Sequence, residues 1–201
     1  MIRLYDYPDC PFCQKVRVVL VEKDLEFERV HVDLRKGEQK APEFLKLNPY
    51  GKVPVLVDED VVVYDSTIIN EYLDEEYPNQ PLMPEDSASR ARVRLLEDFC
   101  DNSFIPPAGV VLAEVHKPEA ERDAEKVTKY QTEMSRVLAR LEGYLDGRQY
   151  LVGEFSLADV AFVPRLMILP QLGVEVDPRL QNVNAWIGRL RERPSVRALG
   201  L

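Results

Sequence analysis

The sequence predicts an α/β domain followed by an all-helical one. Three observations carry that prediction. The first 78 residues alternate short β-prone runs with helical periodicity, a proline-rich segment follows at 79–85, and no convincing strand occurs beyond it. The expected domains are therefore 1–78 and 86–201, joined by the linker 79–85.

Ile2 to Tyr5 is β-prone and is closed by the turn signal Asp6-Tyr7-Pro8-Asp9. From Phe12 to Lys23, the apolar residues Phe12, Val16, Val19 and Leu20 recur at helical spacing. Glu26 to Asp33 sets Phe27, Val30 and Val32 among charged neighbours, as a second strand would. The resulting βαβ opening predicts parallel strands, because such crossovers are right-handed. A charged stretch from Arg35 to Lys40 leads into a short helix over Pro42 to Leu47, stopped by Asn48-Pro49-Tyr50-Gly51. Val53 to Val57 and Val61 to Tyr64 flank the polar Asp58-Glu59-Asp60, a hairpin signal. Ile68, Ile69, Tyr72 and Leu73 mark a helix from Asp65-Ser66 to just before Tyr77-Pro78. Four helices are expected after the linker: Asp86 to Glu114, disturbed by Pro106-Pro107, then Pro118 to Leu145, Ser156 to Leu169 and Val183 to Arg193.

A chain of 201 residues, 45% of them hydrophobic, can bury a core without disulfide or metal staples. Its net charge of -9 repels polyanions at long range, so nucleic acid is not an expected direct ligand. The charge is uneven: residues 1–78 hold 10 Lys and Arg against 17 Asp and Glu, whereas residues 79–201 hold 16 against 18. No apolar run approaches the ~18 residues needed to span a bilayer. Met1-Ile2-Arg3-Leu4-Tyr5-Asp6 lacks the basic and apolar regions of a signal peptide. Three cysteines make no disulfide framework, and a reducing, cytoplasmic location is expected.

The most informative segment is Cys10-Pro11-Phe12-Cys13, between the first strand and the first helix. A thiol at a helix start faces unpaired amides and the positive end of the helix dipole, which favour its thiolate. An unperturbed pKa of ~8.5 leaves about 3% thiolate at pH 7, whereas ~6 would give roughly 90%. Cys13, one turn on, is placed to resolve a mixed disulfide at Cys10. Two other uses compete. A structural zinc site needs four ligands, and the remaining candidates, Cys100, His31 and His116, have no paired spacing. Alternatively, both cysteines could simply fill a core. The strand, CxxC and helix occurring together favour a redox or nucleophilic Cys10, with no metal.

Two further places are candidates. Val53-Pro54 opens a hairpin strand, where proline is tolerated; were its peptide bond cis, the Val53 main chain would face the Cys10 loop. Asp65-Ser66 starts a helix and reads first as an N-cap, yet a hydroxyl and free amides there also suit a carboxylate, and Asp65 an ammonium group. Ser156-Leu157-Ala158-Asp159 has capping-box spacing and Trp186 reads as a core anchor. Cys100, near Phe99 and Phe104, reads as a buried inert thiol, and neither histidine is an obvious base.

Taken together, Cys10-Pro11-Phe12-Cys13, the run Asn48 to Leu56, Asp65-Ser66, Glu71-Tyr72-Leu73 and Ser156 to Asp159 after Gly153 resemble a cytosolic glutathione transferase over almost the whole chain. That resemblance implies a thioredoxin-like N-terminal domain, an all-helical C-terminal bundle and homodimerisation. Cys10 at the nucleophile position is similar to omega-class transferases and two-domain glutaredoxins, and Cys13 to a dithiol glutaredoxin. The resemblance implies glutathione as co-substrate. Val53 would bind its cysteinyl backbone with Pro54 cis, Asp65 and Ser66 its γ-glutamyl end, Phe12 would lie beside the thiol, and Lys52 or Lys40 would meet its glycyl carboxylate. It implies a thiol transferase or disulfide reductase acting through a Cys10–glutathione mixed disulfide on a small electrophilic or disulfide substrate; conjugation of electrophiles is an alternative. Glu71 to Pro84 also resembles stringent starvation protein A, a relative of the same fold that binds RNA polymerase without glutathione chemistry. Cys10 and the Asp65-Ser66 pair depart from that relative.

Overall fold

The computed structural model describes residues 1–201, which divide into two compact units, Met1–Pro81 and Leu82–Leu201. The first has the order β1 (Ile2–Asp6), α1 (Pro11–Glu22), β2 (Phe27–His31), α2 (Pro42–Leu47), β3 (Val55–Asp58), β4 (Val61–Tyr64) and α3 (Ser66–Glu76), with a single 3-10 turn at Glu38–Lys40. The sheet order is β2-β1-β3-β4. β1 pairs parallel with β2, as a βαβ crossover requires, and antiparallel with β3, with Leu4 opposite Leu56; β3 and β4 form the hairpin. All four residues of β3 are buried, whereas the edge strands β2 and β4 are largely exposed or half-buried. This is the thioredoxin-like α/β unit, with its hydrophobic strand enclosed.

Helix α1 starts on Pro11, whose missing N–H costs nothing in a first turn, and packs against α3. Their far ends are tied by a buried ion pair. Lys23 Nζ lies 2.8 Å from Asp74 Oδ1 and also donates to the carbonyls of Asn79 and Gln80 at 3.2 and 3.3 Å.

The second unit is helical: α4 (Ser87–Ser103), α5 (Ile105–Val115), α6 (Ala124–Tyr144), α7 (Leu157–Leu166), α8 (Gln181–Glu192) and α9 (Pro194–Arg197). Every residue of α7 is buried, and the helix packs against α4. The Phe162 ring meets Phe104 and Trp186 at centroid distances of 5.6 and 6.0 Å. The capping box is formed, with Ser156 and Asp159 bonded reciprocally. Asp159, fully buried, also accepts from Leu151 N at 3.1 Å and from Trp186 Nε1 at 2.8 Å. Burial outweighs these bonds and pushes its carboxyl up to about 6.

The elements depart from the sequence expectation in several places: β3 begins at Val55 and not Val53, and α7 ends at Leu166 and not Leu169. The chain breaks at Phe104, ahead of the prolines, and Pro106 and Pro107 sit in the first turn of a new helix, where they remove no helical hydrogen bond. The helix expected from Pro118 starts at Ala124, where Asp123 caps it by accepting from Lys126 N; a 3-10 turn at Glu119–Glu121 precedes it. The short α9 carries no amphipathic period and was not anticipated. No helix is long and apolar enough to cross a membrane.

Candidate functional site

The site is built where β1 ends. After Asp6 the chain turns, with Cys10 N donating to Tyr7 O at 3.1 Å, and Cys10 becomes the N-cap residue of α1 with extended backbone. Cys10 is half-buried; Cys13 is fully buried, and neither is in a disulfide. Hydrogen bonding from the Cys13 thiol, aided by the Cys13 and Phe12 amides and opposed by burial and by Asp6, lowers the Cys10 pKa to about 7. At pH 7 about half of such a thiol is thiolate, against a few per cent ordinarily. Burial, reinforced by Cys10 itself, drives Cys13 the other way, so it holds its proton and donates it. Cys10 packs against the apolar cluster of Cys13, Val32, Phe44, Val53 and Val55.

Val53 links that cluster to a neighbouring cavity of about 470 Å3, lined by Phe12, Lys52, Val53, Pro54, Asp65 and Ser66. Six of the expected residues are therefore brought together. The Val53–Pro54 peptide bond is cis. Asp65 is the N-cap of α3, its Oδ1 accepting from Thr67 N and Ile68 N at 2.9 and 3.4 Å. It does so at φ 75° and ψ 127°, outside the left-handed helical region and a strained backbone for a non-glycine residue. Ser66 is buried at the first helical position. Lys52 is exposed on the rim.

Lys40 falls outside this cavity. Its exposed ammonium donates to Tyr50 O at 3.2 Å, in the loop before β3 whose Tyr50 lines the cavity. Asn48, which also lines the cavity, was missed by sequence reasoning. It is buried, donates from Nδ2 to Lys52 O at 2.7 Å and accepts from Tyr50 N at 3.0 Å, which fixes the loop that presents Lys52 and Val53. An Asn beside Pro49 and Gly51 is an ordinary turn signal, so only its burial distinguishes it. Tyr50 and Tyr64, edge-to-face at 5.9 Å, and Ile68 complete the wall. No group of three or more His, Cys, Asp or Glu is arranged to hold a metal ion. Cys100 is fully buried, with Sγ 3.2 Å from Ala161 O, and His31 and His116 are exposed.

Comparison with known families matches residues 4–81 to the glutathione S-transferase N-terminal domain and residues 104–194 to the glutathione S-transferase C-terminal domain. Glutathione S-transferase 3 of Zea mays is 35% identical, the match covering 96% of this chain and 90% of that protein. A stringent starvation protein A homolog of Pasteurella multocida is 34% identical, covering 94% and 86% respectively. Among solved structures, glutathione transferase URE2P8 from Phanerochaete chrysosporium with oxidized glutathione superposes with a TM-score of 0.87 at 28% identity, covering 99% of this chain and 93% of that one.

Proposed function

The chain belongs to the cytosolic glutathione transferase family, and from that premise we propose that it is a glutathione-dependent thiol transferase working through Cys10. The observation that carries the reading is Cys10 itself: a half-buried thiol at a helix start, held half ionised at neutral pH beside the cavity of Val53, Asp65 and Ser66. In this reading the γ-glutamyl end of glutathione lies at Asp65 and Ser66. The Val53 main chain meets its cysteinyl backbone, and Lys52 its glycyl carboxylate.

The Cys10 thiolate attacks the glutathione sulfur of a mixed disulfide. The Cys10–glutathione bond forms as the old S–S bond breaks, and the substrate leaves as a thiolate that takes a proton from solvent. A second glutathione thiolate then attacks the glutathione sulfur on Cys10, releasing oxidised glutathione and restoring the Cys10 thiolate. Over the cycle the incoming glutathione is oxidised, joining the glutathione that was already in disulfide linkage, and the substrate sulfur is reduced to a thiol. Cys13, buried and holding its proton, serves as hydrogen-bond donor to the Cys10 sulfur, which favours a monothiol cycle. Weighing the protein after exposure to oxidised glutathione tests the reading. One glutathione on Cys10, lost in Cys10→Ser, is expected; an adduct that survives that substitution overturns it.

The stringent starvation protein A homologs among the relatives favour one other reading, a docking protein without glutathione chemistry, with RNA polymerase as the partner implied by that resemblance. Retention on immobilised glutathione, with elution by free glutathione, counts against it. A cytoplasmic homodimer belongs to the main proposal, and light scattering of the purified chain checks the dimer.

A further inference from the structure

Helical spacing places Cys10, Gln14 and Arg17 along one face of α1, and side chains on a helix lean toward its N-terminus. Both polar residues reach back to one atom. Gln14 Nε2 donates to the Pro8 carbonyl at 2.9 Å and Arg17 Nη2 donates to it at 2.7 Å. Pro8 lies in the turn that ends in Cys10, so these two bonds hold that turn from below.

Arg17 also faces the buried Asp6 at the end of β1. Its Nε stands 3.8 Å from Asp6 Oδ2, too far for a hydrogen bond, and neither Arg17 Nε nor Asp6 Oδ1 has a hydrogen-bond partner. Asp6 Oδ2 is already satisfied by Arg29, whose Nε and Nη2 lie at 2.6 and 2.5 Å. Arg17 thus faces Asp6 as a charge and makes no hydrogen bond to it. Its side chain is nevertheless only 10% exposed, and burying a guanidinium is costly, enough to pull its own pKa down. What it supplies is a positive charge close to a buried carboxylate, on the helix that begins at Cys10.

We propose that Arg17, with Gln14, is a positioning residue of the Cys10 turn: it clasps Pro8 and sets its charge against Asp6, so that the carboxylate does not suppress the thiolate above it. The proposal rests on Cys10 as the reacting thiol. Asp6 disfavours ionisation of both Cys10 and Cys13; Arg17 is the low-exposure cation beside it, whereas Arg29, which holds Oδ2 in a contact ion pair, has a side chain 45% exposed. The other titratable or charged groups around the turn are Cys13 and Lys15 on α1, Tyr5 and Tyr7, Asp9, and Arg29 and His31 on β2. Lys52 and Asp65 border the adjoining cavity.

The test is the pH dependence of iodoacetamide alkylation at Cys10 in the full chain, read by mass on the Cys10 peptide, for wild type, Arg17→Met, Arg17→Lys and Asp6→Asn. Arg17→Met raises the midpoint by about one unit, which lowers the rate at pH 7 roughly fivefold and leaves the rate at high pH unchanged. Arg17→Lys, keeping the charge, stays nearer wild type, and Asp6→Asn lowers the midpoint. An unmoved midpoint in Arg17→Met overturns the proposal, even with a lower melting temperature. Should Arg17→Met not fold, Asp6→Asn decides: a midpoint that does not fall overturns it. The assay contains no glutathione. A titration that depends on Arg17 in a protein that forms no glutathione adduct would sustain this inference while removing the thiol transferase reading.

Discussion

At Cys10, two opposing effects decide the charge on sulfur. Burial and Asp6 favour the thiol; the Cys13 thiol and two helix-start amides favour the thiolate and prevail. Cys13→Ala removes the largest favourable contribution while filling much of the same space, so the alkylation midpoint of Cys10 should move upward from about 7. A midpoint that stays put would show that the amides suffice. The sign for stability follows from the same shift. A thiol more acidic in the folded chain adds stability above its unfolded pKa and loses it as pH falls through about 7, so wild type should gain on Cys10→Ser between about pH 7 and 9 in urea melts. The residues most legible in the sequence were those whose role is local. Cys10 and Asp65 announce themselves by standing at helix starts, whatever the rest of the chain does. Asn48 and Arg17 were not legible as site residues, because their importance lies in carbonyls and a carboxylate that only the folded loop brings within reach.

Among elements, the loop from α2 to β3 has the least tolerance. Gly51 stands at φ 60°, and a Cβ there would lie 2.8 Å from the Gln39 carbonyl and from Lys40 Nζ. The lysine can move but the carbonyl cannot, so Gly51→Ala should displace the loop and abolish retention on glutathione resin, beyond the ~1 kcal/mol that the backbone strain alone costs. Resin binding beside a urea melt separates the two effects. In the helical unit the corresponding weak point is Asp159. Asp159→Ala leaves Trp186 Nε1 and the Leu151 and Ser156 amides without their acceptor inside the core, an expected cost of about 3 kcal/mol or more by chemical denaturation. Because its carboxyl is raised, its contribution is present at low pH and declines as pH rises through about 6, so the stability of wild type relative to Asp159→Asn should fall over about pH 4 to 6. The sequence showed the capping box, whose partners are three residues apart, and hid the bond to Trp186, whose partner is 27 residues away. The same distinction explains the helix break at Phe104. Proline marks where a helix is in difficulty, but tertiary packing decides whether it kinks there or restarts just before.

For the whole molecule, charge and thiol exposure set behaviour that no single element controls. An anionic tripeptide approaching the α/β unit meets an excess of seven negative charges, and Lys52 attracts it only at close range. Raising the ionic strength from about 10 to 150 mM shortens the screening length to about 8 Å and mutes the distant repulsion first, so glutathione should associate faster in salt. Stopped-flow association that slows with salt would mean that Lys52 and its neighbours dominate the field. The order of the two units was legible because proline-rich punctuation and a change of hydrophobic period coincide near residue 80. The burial of each thiol was not legible, since CxxC spacing says nothing of depth. That depth has a practical consequence. Cys13 and Cys100 have no exposed surface and Cys10 does, so a chromogenic disulfide reagent should count one cysteine promptly in the native chain and three in denaturant. The unaltered protein thus carries its own colorimetric gauge of the fraction folded, and a single attachment point for a fluorophore or spin label without any cysteine having to be engineered in or out.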